Sequence, residues 1–199
     1  DTLLVARRLT QTRVRARALV LAGQVRVDGE VFSKPGMTVA TDANVALITP
    51  DHPYVSRGGI KLAHALDKFR VSAIGCTAAD IGASTGGFTD VLLKRGATRV
   101  VAIDVGHGQL AWKLRQDPRV FVLEGVNARG LNPTMLPSGF RHVDLVTIDV
   151  SFISLKLILK PTPTLLRQGA SVIALIKPQF EAGREEVGKR GLVTDEAVH

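Results

Sequence analysis

Cysteine is almost absent. Cys76 stands alone among 199 residues, which excludes an intramolecular disulfide framework and any cysteine-rich metal site. The expectation is a reducing, cytoplasmic setting, no metal, and Cys76 as a small apolar filler. Long apolar runs are missing too. The longest, such as residues 170–176, fall far short of the roughly 20 residues a bilayer-spanning helix requires. No charged-then-apolar leader opens the chain, so stable membrane association is not expected. Acidic residues are in deficit: 18 Asp and Glu face 26 Lys and Arg, for a net charge of +8. That balance favours a polyanionic partner, with nucleic acid ahead of an anionic membrane surface. With 45% hydrophobic and 22% charged residues, the chain can bury a genuine core and has room for one domain plus a small module. It starts at Asp1 and stops inside a helical pattern at Thr194 to His199, as expected of a piece of a longer protein.

Composition shifts near residue 50. Residues 2–9 (Leu3, Leu4, Ala6, Leu9) and 12–22 (Val14, Ala18, Leu19, Leu21) carry apolar side chains at helical spacing, and Gly23 stops the second run. Gln24 to Val27 alternates, Asp28-Gly29 is a hairpin signal, and Val31-Phe32 and Val45 to Ile48 read as short strands. The prediction is a helix, helix, hairpin module over 1–48. Pro50 and Pro53 resist helix and sheet alike, which makes 49–56 a linker, and a second domain, starting near Tyr54, runs over 57–199.

The second domain alternates strand and helix patterns, predicting an α/β fold with a mostly parallel sheet covered on both faces. Strands are expected at 78–81, 99–104, 120–123, 143–149 and 170–176. Helices are expected at 87–95, 109–116 and, irregular around two prolines, 154–166. Ligands bind such sheets beyond the carboxyl ends of the strands. Asp80, Asp104, Glu124, Asp149 and Lys177 fall at those ends, which predicts a charged rim.

The first rim loop runs Asp80-Ile81-Gly82-Ala83-Ser84-Thr85-Gly86-Gly87-Phe88-Thr89, directly from strand into helix. Its glycines let backbone approach a ligand closely, and helix-start amides can receive polar or anionic groups. It lacks the Gly-x-Gly-x-x-Gly spacing of a dinucleotide fingerprint. A site for S-adenosylmethionine asks for less: a loop around the amino-acid tail and an acidic residue after the next strand for the ribose, here Asp104. A tight turn with structural glycines is the competing reading.

Five ordered motifs carry a resemblance across essentially the whole chain. They are Tyr54-Val55-Ser56-Arg57-Gly58-Gly59-Ile60-Lys61-Leu62, the Asp80 to Thr89 loop, Asp104-Val105-Gly106-His107-Gly108-Gln109-Leu110, Ile148-Asp149-Val150-Ser151-Phe152-Ile153-Ser154 and Lys177-Pro178-Gln179-Phe180-Glu181. Together they closely resemble the TlyA family, often labelled hemolysin, of ribosomal RNA 2′-O-methyltransferases with an FtsJ-like catalytic domain. Residues 1–48 resemble the S-four type RNA-binding domain that precedes it there. The resemblance implies S-adenosylmethionine as cofactor, with Gly82, Ala83, Ser84, Gly86, Gly87 and Phe88 lining its pocket together with Asp80 and Thr85 of the same loop, Asp104 on the ribose and Asn127 near the adenine. It also implies cytidine as target and ribosomal RNA or ribosomal subunits as partner.

A ribose 2′-hydroxyl is a poor nucleophile, so methyl transfer to it requires a base that takes its proton while the oxygen is held in line. Lysine, ordinarily cationic with a reference pKa of about 10.4, provides a neutral amine where burial or nearby cations lower that value. The Lys-Asp-Lys-Glu tetrad of FtsJ-like enzymes matches Lys61, Asp149 and Lys177 in its first three members, which makes Lys177 the expected base with Asp149 and Lys61 orienting it. The family's glutamate lies on a later strand, beyond His199, so the expectation for this piece is a sheet short of its last strands and impaired activity. Each residue has a plainer reading: Lys61 a solvated lysine on an amphipathic helix, Lys177 a lysine snorkelling from a strand end, Asp149 a helix cap. His107 and Trp112 read as a surface histidine and a core tryptophan, with the border of the cofactor as their other possible place.

Arg7, Arg8, Arg13, Arg15, Arg17 and Arg26 face only Asp1 within the first 26 residues, an excess of five positive charges. Such density suits phosphate contacts, and a solvated helix face is the alternative. Two further functions stay open at the level of sequence: a non-catalytic RNA-binding or ribosome-assembly protein, and a membrane-active hemolysin.

Overall fold

The computed structural model describes residues 1–48, 51–188 and 191–194. It divides the chain into two compact units, Asp1–Pro53 and Tyr54–His199. Part of the expected linker, Thr49 and Pro50, and the helical pattern after Thr194 lie outside the described residues. Tyr54 to Ser56 belong to the second unit: the Val55 amide donates to Asp90 Oδ2 at 3.0 Å.

The first unit packs helices α1 (Thr2–Ala6) and α2 (Arg13–Leu21) on strands β1 (Val25–Val27), β2 (Glu30–Phe32) and β3 (Val45–Leu47). The Thr12 side chain accepts from the Arg15 amide and starts α2, satisfying one of the amides a helix N-terminus leaves without a partner. Leu4, Ala16, Val20 and Val25 form its small core. Asp28 and Gly29 both take positive φ, +50° and +90°, the backbone of a type I′ turn whose twist suits a two-residue hairpin. Strand β1 pairs antiparallel with both neighbours.

The second unit holds a five-stranded sheet of β4 (Thr77–Ile81), β5 (Arg99–Ile103), β6 (Val120–Leu123), β7 (Val143–Ile148) and β8 (Leu166–Ala174). Every pairing is parallel and the order is β6-β5-β4-β7-β8. Helices α3 (Gly58–Phe69) and α4 (Gly87–Lys94) cover one face, burying Leu62, Leu66, Val91 and Leu92 against Ala78, Val100, Ala102 and Leu145. The other face buries Ala79, Ile81, Val101, Ile103, Val146 and Ile148 beneath Leu155 and Ile158 of α6 (Leu155–Leu159). A strand buried on both faces has no polar side to alternate with, which is why these strands read as continuous apolar runs. The order reverses at β4, whose two partners are β5 and β7, and the crevice beyond their carboxyl ends is where such sheets bind ligands.

In the second unit three elements differ from expectation. The helix predicted over 154–166 is α6 followed by a 3₁₀ turn at Thr162–Leu165, because Pro161 and Pro163 lack the amide donors a continuing helix requires. Thr162 Oγ1 donates instead to the Ile158 carbonyl at 2.7 Å, and β8 starts at Leu166, four residues before the predicted Ala170. The helix predicted over 109–116 shrinks to α5 (Trp112–Arg115), since the side chain and backbone before it serve the rim loops.

Candidate active site

The glycine loop leaves β4 at Ile81, and the Gly82 and Ala83 amides donate to the Ile103 carbonyl at 2.8 and 3.1 Å. Gly82 has φ +83°, and a Cβ there would lie 2.6 Å from the Asp149 carbonyl oxygen, so the close passage of β4 and β7 requires glycine. Asp104, just past β5, accepts from the Ser84 amide through Oδ2 and from the Gly106 amide through Oδ1, both at 2.7 Å. Ser84 Oγ donates to Gln109 Oε1 at 3.0 Å. These bonds fold the loops after β4 and β5 against each other.

Beside them lies a cavity of about 480 Å³ lined by Gly82, Ser84, Asp104, Asn127 and the apolar side chains of Val105, Val126 and Ile153. A second cavity, of about 260 Å³, is lined by Ser56, Lys61, Ala83, Thr85, Gly87, Phe88 and Lys177. Gly82, Ser84, Asp149 and Ser151 border both. The expected cofactor residues therefore divide: Gly82, Ser84, Asp104 and Asn127 face the larger space, while Ala83, Thr85, Gly87 and Phe88 face the smaller.

Two expected cofactor residues do not reach either cavity. Gly86, at φ +92°, packs under Leu110 and Leu114 and shapes the start of α4. Asp80 is fully buried, inside β4 rather than on the rim. Its Oδ2 accepts from Thr89 Oγ1 at 2.7 Å and its Oδ1 from Thr147 Oγ1 at 3.0 Å, which ties α4 and β7 to the central strand. Burial pushes its carboxyl up to about 6, against the opposing pull of the two threonine hydroxyls and with a further push from the charge of Asp149. Asp80 is a structural clamp below the site.

Lys61, Asp149 and Lys177 meet around the smaller cavity. Lys177 Nζ lies 2.6 Å from Asp149 Oδ1, with both side chains about one-fifth exposed. The same ammonium donates to Ser151 Oγ at 2.8 Å. Lys61, exposed on α3, makes no ion pair among the described residues. The loops after β7 and β8 are clasped by more than this ion pair. Glu181 accepts from Ser154 Oγ at 2.7 Å and from the Leu155 amide at 2.6 Å, and the rings of Phe152 and Phe180 lie 5.3 Å apart. Ser56, Gln109, Ser151 and Glu181 had no role in the sequence reading. Each falls inside one of the five motifs, so the signal was the length of the motifs beyond their charged members.

The rim and the arginines sort in the same way. Glu124 accepts from Arg115 and from the Gly108 amide, and the Arg115 hydrogen bond holds its carboxyl below the ordinary range; it braces the loop after β5 and lines neither cavity. His107 packs against Gly125. Trp112 is not a core residue: it is 72% exposed. Arg7 donates to the Thr41 and Ala43 carbonyls at 2.5 and 2.6 Å, and Arg15 pairs with Asp51 at 2.9 Å, so both are engaged within the first unit. Arg8, Arg13, Arg17 and Arg26 are exposed, although Arg13 lies 3.4 Å from Asp1.

A doubly wound sheet, a glycine loop, an acidic residue after the second strand and a lysine-aspartate-lysine cluster define a methyltransferase, and residues 54–199 match the FtsJ-like methyltransferase family. The chain belongs to that family, and residues 1–45 match the S4 domain. It is 47% identical over 196 residues, 98% of this chain and 72% of the relative, to a Mycobacterium tuberculosis protein named 16S/23S rRNA (cytidine-2′-O)-methyltransferase TlyA. It is 44% identical over 193 residues, 95% of this chain and 78% of the relative, to Hemolysin A of Brachyspira hyodysenteriae. A solved structure from Streptococcus thermophilus, described as a candidate hemolysin, superposes with a TM-score of 0.75 at 46% identity, covering 100% of this chain and 72% of the other.

Proposed function

We propose that this chain transfers a methyl group from S-adenosylmethionine to a ribose 2′-hydroxyl of ribosomal RNA, with cytidine as the nucleoside and Lys177 as the base. The observation that carries the reading is the junction of two cavities at Gly82, Ser84, Asp149 and Ser151, one lined by Asp104 and Asn127 and the other by the two lysines. The larger space suits the cofactor chemically. A carboxylate at Asp104 faces where a ribose diol would be held, Asn127 offers amide hydrogen bonds, and Val105, Val126 and Ile153 give an apolar slot for a purine. Gly82 borders both cavities, and its bare backbone there leaves room for an amino-acid tail to come close. When bound there, the cofactor supplies an electrophilic methyl carbon.

The rest falls to side chains of this protein. The smaller cavity receives the ribose. Lys177, in its neutral form, accepts the hydroxyl proton at Nζ as the oxygen becomes nucleophilic, and Asp149 beside it stabilises the ammonium that results. Ser151 fixes the direction of the amine, and Lys61 lends positive charge to the acceptor oxygen. Holding base and acceptor in one small space removes much of the entropic part of the barrier. The first unit supplies phosphate contacts through its exposed arginines, and structured RNA is recognised largely through shape, phosphate and 2′-hydroxyl contacts. Ribosomal RNA or a ribosomal subunit is the partner, and the cytoplasm the place. No helix among the described residues is long and apolar enough to cross a membrane.

The test is transfer of labelled methyl to unmodified ribosomal subunits, with the product mapped by resistance to alkaline cleavage. Wild-type protein is expected to methylate, and Lys177→Ala to lose at least about 100-fold in rate, the lower end of what a positioned base contributes, while still binding cofactor. Full activity in Lys177→Ala would remove it as the base. Cofactor binding by the wild type without transfer to any ribosomal RNA would remove the substrate.

A further inference from the structure

Tryptophan is on average among the more buried residue types, yet the single tryptophan of this chain is 72% exposed. Trp112 opens α5, and its neighbour Ala111 donates its amide to the carbonyl of Thr85 at 3.2 Å. Thr85 lines the smaller cavity. Leu110 and Leu114, on either side in sequence, pack against Gly86. The backbone at the start of α5 is therefore held beside Thr85, a residue of the wall of the lysine-lined cavity, and Trp112, next in the chain, is exposed and not part of that wall. Helix α5 connects β5 to β6, at the edge of the sheet opposite β8.

The surroundings are cationic. Lys113, next in sequence and 59% exposed, lies 3.4 Å from Asp90 Oδ1, and Lys94, 41% exposed, lies 2.9 Å from Asp90 Oδ2. Two lysines share one carboxylate that is itself only 6% exposed, so the surface presents net positive charge. The same Asp90 accepts from the Val55 amide, and Ser56 beside it lines the smaller cavity. An exposed indole whose chain neighbour Lys113 shares a carboxylate with Lys94 has the elements that bind single-stranded nucleic acid: bases stack on the ring, and phosphates meet the cations. A protein partner would be expected to meet a broader apolar surface than one indole among lysines.

We infer that Trp112, with Lys113 and Lys94, forms a platform on which an unpaired base adjoining the target nucleotide stacks, holding the RNA strand so that the target ribose enters the lysine-lined cavity. This rests on the RNA methyltransferase reading above. Trp112 is on this account a positioning residue that binds substrate and leaves the reacting atoms to Lys177.

Because no other tryptophan contributes, intrinsic emission reports this position alone. A short unstructured RNA oligonucleotide is expected to quench it, and a fully paired RNA of the same composition to leave it nearly unchanged. Trp112→Ala is expected to raise KM for ribosomal subunits about tenfold, within the range for loss of one stacked base, at unchanged kcat and unchanged cofactor affinity. Trp112→Phe should recover most of the loss, and Lys113→Ala should weaken RNA binding with a smaller salt dependence. Unchanged emission while the anisotropy of labelled RNA reports binding, or a wild-type KM in Trp112→Ala, would overturn the platform. Quenching without methyl transfer would sink the enzymatic reading and leave the platform standing; transfer with silent emission would do the reverse.

Discussion

At the scale of the residue, the aspartates of the site divide by burial. Asp149 and Asp104 meet cavities, whereas Asp80 sits beneath them with its carboxyl raised to about 6. A raised acid means that the folded protein holds a proton which the unfolded chain, near 3.8, has already released. The stability this gives is complete below about pH 3.8, declines as the pH rises through 6, and is absent above. Comparing wild type with Asp80→Asn by urea denaturation isolates the effect. The difference, wild type minus variant, is expected to fall by roughly 2–3 kcal/mol between pH 4 and pH 7, at about 1.4 kcal/mol for every tenfold weakening of the acid on folding. A difference independent of pH would mean that Asp80 titrates as an ordinary carboxylate.

Gly82 belongs to the same scale, since a single methyl group there meets the backbone of Asp149. Gly82→Ala combines that collision with a positive φ that L-residues avoid. Calorimetric titration is expected to show at least a tenfold loss of S-adenosylmethionine affinity, with the fold retained by circular dichroism.

At the scale of the element, the decisive feature is the clasp between the loop after β7 and the loop after β8. Strand register alone brings Lys177 and Asp149 to one rim, but Glu181 fastens the two loops by holding Ser154 and the first amide of α6. Glu181→Ala leaves that amide without its acceptor and is expected to cost about 1–2 kcal/mol, in the range for an unsatisfied, partly buried donor. It is also expected to lower kcat more than it raises KM for RNA, because the geometry disturbed is that of Lys177. Glu181→Gln, which keeps an acceptor for the amide, should recover part of both. Equal losses of kcat in the two variants would argue for a role of charge over position.

The elements also explain what sequence periodicity could and could not deliver. The three central strands, β4, β5 and β7, are legible as apolar runs because they are buried on both faces, whereas the edge strand β8 is legible only from Ala170 because Arg167 and Gln168 before it are exposed. The sequence reading makes the α6 segment too long, since Leu165 and Leu166 extend its apolar composition past Pro161 while the backbone cannot continue the helix. The short α5 was read as too long for a different reason: Gln109 suits a helix by propensity but is drawn into a bond with Ser84.

At the scale of the whole molecule, the two units carry different parts of the proposed work, and their arginines differ accordingly. Arg13 and Arg17 are exposed on α2, whereas Arg7 holds two backbone carbonyls of its own unit. Replacing Arg13 and Arg17 by alanine is expected to weaken RNA binding and to reduce the slope of log K against log salt by about 1 for each phosphate that is no longer neutralised. Arg7→Ala should leave that slope unchanged and lower the thermal stability of the first unit. An unchanged slope in Arg13→Ala/Arg17→Ala would place the RNA on another face.

The sequence by itself determined the class of fold, the glycine loop, the placing of Asp104, Asp149 and Lys177 past strand ends and the basic character of the first 26 residues. Each is local: an apolar run, a glycine spacing, a charge count. Five motifs in order also carried a resemblance to one family, and the lysine, aspartate, lysine set came with it. Only the tertiary structure decided which of these residues share a space. It set Asp80 inside the central strand and Asp149 on the rim, split the glycine loop between two cavities, turned two arginines inward and left Trp112 in solvent. The physical reason is that burial and proximity depend on which strands are neighbours: β4 lies between β5 and β7 although β7 follows it by more than sixty residues, and no local pattern encodes that adjacency.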